Sequence, residues 1–148
     1  MFQKEHTDTK LKNIIFDIGN VLFSYDPSYI IEKLIPNSTK KDFFLNNLFL
    51  SPIWQDLDEG TTNKASVIKT LGTITTLTKE EIKEAHTLID KFPHHLISIK
   101  ETHKLFFDLQ KDYNIYILSN FQKAPFDTLV KIHPFLNQAK GIVVSAKE

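Results

Sequence analysis

"NIIFDIGNVLF", residues 13–23, is an apolar run that stops on one acid and turns at once through a glycine. Residues 13–17 show no polar/apolar alternation, the pattern of a strand buried on both faces in a parallel sheet. A second stretch, "YNIYILSNF" at 113–121, has the same shape and stops on Ser119 and Asn120. A third apolar run, "GIVVS" at 141–145, predicts a last strand. Strands that deliver small polar groups to their C-terminal ends point to a site, because ligands of open α/β sheets collect there.

Working outward, the residues from 23 to 95 read as helices joined by short turns, with no strand among them. Asp26-Pro27 predicts an N-cap and N1 proline, opening a helix through "SYIIEKL" to Pro36. Ser51-Pro52 repeats the device before "IWQDLDE", with Gly60 in the C′ role. Asn63 can cap "KASVIKTL", which Gly72 is expected to stop, and Thr78 with Glu81 forms a capping box. From His95 to about Gln110, Leu96, Ile99, Leu105, Phe106 and Leu109 recur at helical spacing, and a further helix is expected from Pro125 to Ile132. The order is strand, helical insertion, helix, strand, helix, strand. That calls for an α/β, Rossmann-like doubly wound parallel sheet with right-handed crossovers. The core would be 1–22 and 96–148, and the inserted helical domain 23–95. Asp17 and Ser119 then meet at strand ends, although 102 positions (119 − 17) separate them.

Composition narrows the function. The 148 residues suit one domain, and 41% hydrophobic with 24% charged residues is ordinary for a globular chain. Eighteen basic residues balance eighteen acidic ones, which argues against a nucleic-acid partner. Every basic residue is lysine, so a phosphate site must use backbone N–H groups, lysine or a metal rather than a guanidinium fork. Cysteine is absent, which removes disulfides, thiolate zinc sites and thiol nucleophiles, and fits a reducing compartment. The stretch "MFQKEHTDTKLK" has no apolar segment typical of a signal peptide, and no run approaches the ~20 residues of a membrane span. A soluble, cytoplasmic protein is expected. The six histidines show no metal spacing, and the adjacent His94 and His95 cannot share a helix face.

The motifs resemble those of the haloacid dehalogenase (HAD) superfamily of hydrolases. "IIFDIGNVLF" is similar to its first motif, a hydrophobic strand ending on a nucleophilic aspartate, and "IYILSN" to its second, a strand ending on Ser or Thr. The helical segment between them resembles a C1-type cap. The Asp-x-Gly-Asn-Val pattern resembles the subgroup that includes enzymes similar to bacterial glucose-1-phosphate phosphatase. "WQDLDEGTTN" at 54–63 resembles a stretch of their cap with an acid two residues before a glycine, and "LNQAKGIVVSAKE" the approach to their third motif. The resemblance implies a Mg²⁺-dependent phosphatase acting on a small phosphorylated metabolite through an aspartyl-phosphate. One Asp17 oxygen would attack phosphorus while the other binds Mg²⁺, and the residue 19 carbonyl would be a second metal ligand. Ser119 and Asn120 would hold phosphoryl oxygens, and Lys123 falls where related enzymes often carry a basic residue.

Each residue also has a plainer reading. Asp17 could cap the following turn, Ser119 could cap a helix, Asn120 could be a loop residue and Lys123 a solvated lysine. Asp26 reads as an N-cap, and Asp58 and Glu59 as a solvated helix end rather than readers of substrate hydroxyls. Phe43, Phe44, Phe49 and Trp54 read as core of the insertion rather than substrate wall. Two departures from the family pattern stand out. The commoner motif has a second aspartate, the general acid, where this chain has Gly19. The chain also stops before the third-motif lysine and the fourth-motif acids, and Lys147 lies too early to be that lysine. The expectation is a truncated and impaired form. The competing functions are a 2-haloacid dehalogenase using the same aspartate without metal, and a non-catalytic binding protein that keeps the fold.

Overall fold

The computed structural model describes residues 12–145, so Lys147 lies outside the described residues. Three parallel strands form the sheet: β1 (Asn13–Phe16), β4 (Asn114–Ser119) and β5 (Gly141–Val144), in the order β1-β4-β5. Phe16 lies beside Ile117, and Ser119 beside Val144, so β4 and β5 end together and β1 stops two residues earlier. The chain is α/β with a parallel sheet, as its strand–helix alternation predicts.

Between β1 and β4 run the helices α1 (Pro27–Leu34), α2 (Lys41–Phe44), α3 (Pro52–Glu59), α4 (Lys64–Ile74) and α5 (Lys79–Lys91). Four of the five starts follow the predicted caps, and α2 begins after Lys40 without a side-chain cap. Asp26 accepts from the N–H groups of Ser28 and Tyr29, Ser51 from Ile53, and Asn63 from Ser66. Thr78 and Glu81 bond reciprocally as a capping box, and Gly60 closes α3 in the left-handed conformation. Gly72 does not stop α4, which runs on to Ile74. An interior glycine weakens a helix by about 1 kcal/mol, and the burial of Val67 and Leu71 on the same helix offsets that.

The stretch read as strandless does contain one at its start. The two-residue β2 (Phe23–Ser24) pairs antiparallel with β3 (Ile97–Ser98) and ties the two ends of the helical insertion together. Strands this short leave no periodicity to read. Because β3 occupies the residues before it, α6 begins at Lys100 rather than near His95 (Lys100–Leu109), and α7 spans Lys123–Ile132. The His103 ring nitrogen and the Thr102 hydroxyl bond the Leu22 and Val21 carbonyls, fixing α6 against the entry to the insertion.

One face of the sheet carries the core. Phe16, Ile115, Ile117 and Val144 are buried there, with Phe106 of α6 against Phe16 and Phe126 of α7 beside Val144. Phe106 is fully buried and touches Phe16, Phe107 and Phe135. Phe106→Ala is expected to destabilise the chain by about 3–5 kcal/mol, read by denaturant unfolding. The opposite face is open, contrary to the both-faces-buried pattern of β1. Ile15, Leu118 and Val143 stand there 63%, 53% and 49% exposed. The reason is topological: both crossovers step the same way along β1-β4-β5, so right-handed connections lay α6 and α7 on one side. The insertion has its own aromatic interior. Phe49 stacks near Trp54, Trp54 meets Phe92, and Phe92 meets Phe121 of the core.

Candidate active site

Asp17 is the first residue beyond β1. Its Oδ1 accepts the Ile18 N–H at 2.7 Å, while fully buried Ile18 anchors the turn. The N–H groups of Val21, Leu22 and Phe23 all converge on the Ile18 carbonyl. The left-handed residue of this turn is Asn20, at φ 57°, not Gly19. Asn tolerates that region better than most residues, and its Oδ1 accepts the Tyr25 N–H at 2.9 Å. Gly19 therefore serves no steric need: a Cβ there would meet nothing within 4 Å.

Ser119 ends β4 and is buried, at 6% exposure. It is not a helix cap. The N-cap position of α7 belongs to Gln122, which makes no side-chain capping bond. Asp17, Ser119 and Asn120 share one surface depression of about 320 Å³ with Leu118, Val143 and Ser145. The sequence reading missed Ser145. Its N–H donates to the Ser119 carbonyl, its hydroxyl donates to the Asp58 carbonyl, and its Oγ accepts the Phe121 N–H. The signal was present, since "GIVVS" also ends an apolar run on a small polar residue.

Lys123 is not brought into this depression. Its ammonium is held by both Asp127 oxygens at 2.6 and 2.7 Å, one turn along α7. Gly19 borders a neighbouring cavity of about 90 Å³, which also takes in Tyr25, Trp54 and Asp58 from the insertion. Asn120 lines both spaces. Asp58, read as a solvated helix end, instead faces inward and accepts a long bond from buried Gln122 at 3.3 Å. Burial pushes its carboxyl up to about 7, with the Gln122 bond opposing and the Glu59 charge adding. Burial and the Asp58 charge likewise raise the Tyr25 phenol.

An acid whose pKa rises on folding opposes the fold once ionised, so stability falls as pH climbs from about 4 to about 7. Asp58→Asn keeps an oxygen for Gln122 and removes the charge. It is expected to raise the thermal midpoint at pH 8 and leave it nearly unchanged at pH 4, with an upper limit of about 4 kcal/mol.

The expected magnesium site can be tested against the donor set. The described residues hold no group of three or more His, Cys, Asp or Glu side chains placed to bind a metal. The Asp17 depression offers the Asp17 carboxylate, the Asn120 side chain and the hydroxyls of Ser119 and Ser145, whereas Gly19, whose carbonyl was the expected second ligand, borders the neighbouring cavity. Hard oxygen donors with one carboxylate fit Mg²⁺, which keeps several waters and takes further ligands from a phosphate.

No protein-family model matches the chain, and no curated protein matches it. Solved structures do. A HAD family enzyme from Bacteroides thetaiotaomicron, in complex with magnesium and inorganic phosphate, superposes with a TM-score of 0.59 at 19% identity. The match covers 92% of this chain and 69% of that one. The fold is that of the HAD hydrolases. L-2-haloacid dehalogenase from Xanthobacter autotrophicus shares it at a TM-score of 0.62 and 14% identity, over 91% of this chain. This chain spans 57% of that dehalogenase. Among the described residues no helix is long and apolar enough to cross a membrane.

Proposed function

We propose that the chain is a HAD-type hydrolase that transfers the phosphoryl group of a small phosphorylated metabolite to Asp17, with Mg²⁺ as cofactor. The single observation that carries this reading is the meeting of Asp17, Ser119 and Asn120 in one depression at the tips of adjacent parallel strands. Asp17 attacks phosphorus through a carboxylate oxygen while the Ile18 N–H orients the group. The P–O bond to the leaving alcohol breaks as the aspartyl-phosphate forms. Water then attacks the same phosphorus, releasing inorganic phosphate and restoring the carboxylate. The Ser119 hydroxyl donates to a phosphoryl oxygen, and the Asn120 amide groups border the same space. A bound Mg²⁺ supplies neutralisation of the charge that gathers between carboxylate and phosphate. The insertion, lying over Gly19 and Asn120, acts as the cap that meets the leaving group.

The test is hydrolysis of para-nitrophenyl phosphate by the folded chain with and without Mg²⁺, beside chloride release from 2-chloropropionate. Phosphate release that depends on Mg²⁺ is the expected result. Metal-free chloride release would instead make the chain a dehalogenase, and turnover of neither would leave the impaired form expected above or a binding protein on this fold.

A further inference from the structure

Tyr25 carries the buried side-chain polar atom that finds no partner among the described residues, its hydroxyl. A buried, unpaired hydroxyl is expensive to keep and calls for an explanation. It borders the cavity of about 90 Å³ whose walls are Trp54, Phe92, Leu96 and Phe121, and whose other charged lining group is Asp58. The phenol and the Asp58 side chain line the same cavity, yet no hydrogen bond joins them. A gap therefore separates a donor from an acceptor inside an aromatic enclosure. One hydroxyl group set between them would accept from Tyr25 and donate to Asp58, satisfying both.

Resting on the proposed phosphoryl-transfer reading, we infer that Tyr25 and Asp58 are specificity residues that clasp a hydroxyl of the leaving alcohol. The substrate class is then a short, hydroxylated phosphomonoester. The cavity, at about 90 Å³, is small, which limits the leaving alcohol to a short polyol. Asn120 lines both this cavity and the Asp17 depression, which places the two side by side. Apolar walls bind the carbon chain, and an analogue that lacks the hydroxyl is penalised because the Tyr25 hydroxyl stays unpaired.

Trp54 is the single tryptophan of the chain and lines the cavity, so its fluorescence reports occupancy. The 148-residue chain in Mg²⁺ is titrated with inorganic phosphate, glycerol 3-phosphate and n-propyl phosphate. The expected result is binding of all three, with glycerol 3-phosphate favoured over propyl phosphate by about tenfold or more. Tyr25→Phe and Asp58→Asn should each bring that ratio close to one. Equal affinities for the two esters in the unaltered chain, the outcome if water fills the gap, overturn the inference while leaving the phosphatase reading intact. So does a ratio that survives both substitutions. Failure of the unaltered chain to bind inorganic phosphate overturns both.

Discussion

On the proposed phosphoryl-transfer reading, Asp17→Asn is expected to abolish Mg²⁺-dependent phosphate release, lowering turnover by about 10⁴-fold or more, the scale on which removal of a nucleophile is felt. The amide is nearly isosteric with the carboxylate and keeps an oxygen to accept the Ile18 N–H, so the turn at 18–23 has no reason to rearrange. Asp17 is exposed and makes no salt bridge in the described residues. Thermal unfolding should therefore move little while the chemistry disappears. An amide oxygen is a far poorer nucleophile, and it brings no charge to a magnesium ion. Phosphate release from para-nitrophenyl phosphate, measured beside a circular-dichroism melt, checks both halves. A variant that keeps more than about a hundredth of the rate would show that Asp17 is not the attacking group.

Gly19→Asp is expected to act in the opposite direction. Position 19 has open space where a Cβ would stand, and its backbone lies outside the left-handed region. A side chain can enter without strain, and loss of the glycine also restricts the unfolded chain. The commoner form of the motif that this stretch resembles carries a second acid at this place, positioned to protonate the leaving oxygen. General acid catalysis contributes about 10²–10⁴-fold, but only when the leaving group needs a proton. Turnover of an alkyl phosphate such as glycerol 3-phosphate should rise by about a hundredfold, at the low end of that range. Turnover of para-nitrophenyl phosphate, whose phenolate departs unaided, should change little. Equal gains on both substrates would mean that the new carboxylate acts on binding or on the metal instead.

The three strands of the parallel sheet and most of the helix starts were legible because they are local. Asp26, Ser51, Asn63 and the Thr78–Glu81 pair act on residues two or three positions away, and each does in the fold what its spacing predicts. The partnership of Asp17 with Ser119 was readable through the parallel order of their strands, since strand ends fix where such groups meet. Other features depend on contacts no window contains. Asp58 reads as a solvated acid next to Glu59, and only the approach of Gln122 and Ser145 from the core turns it inward. Lys123 has an acid one helical turn ahead, so its pairing with Asp127 was available from spacing alone. Gly19 drew notice as the flexible residue of the turn, yet Asn20 takes the left-handed conformation because its side chain also secures Tyr25.

The bare sheet wall formed by Ile15, Leu118 and Val143 has a practical bearing on bench work with this chain. Exposed aliphatic surface of that kind captures environment-sensitive dyes while the protein is still native. Dye-based melting curves should therefore begin bright and flat. Ellipticity, or emission from the enclosed indole of Trp54, will follow the transition more faithfully, and sulfate-rich buffers will draw such walls against one another.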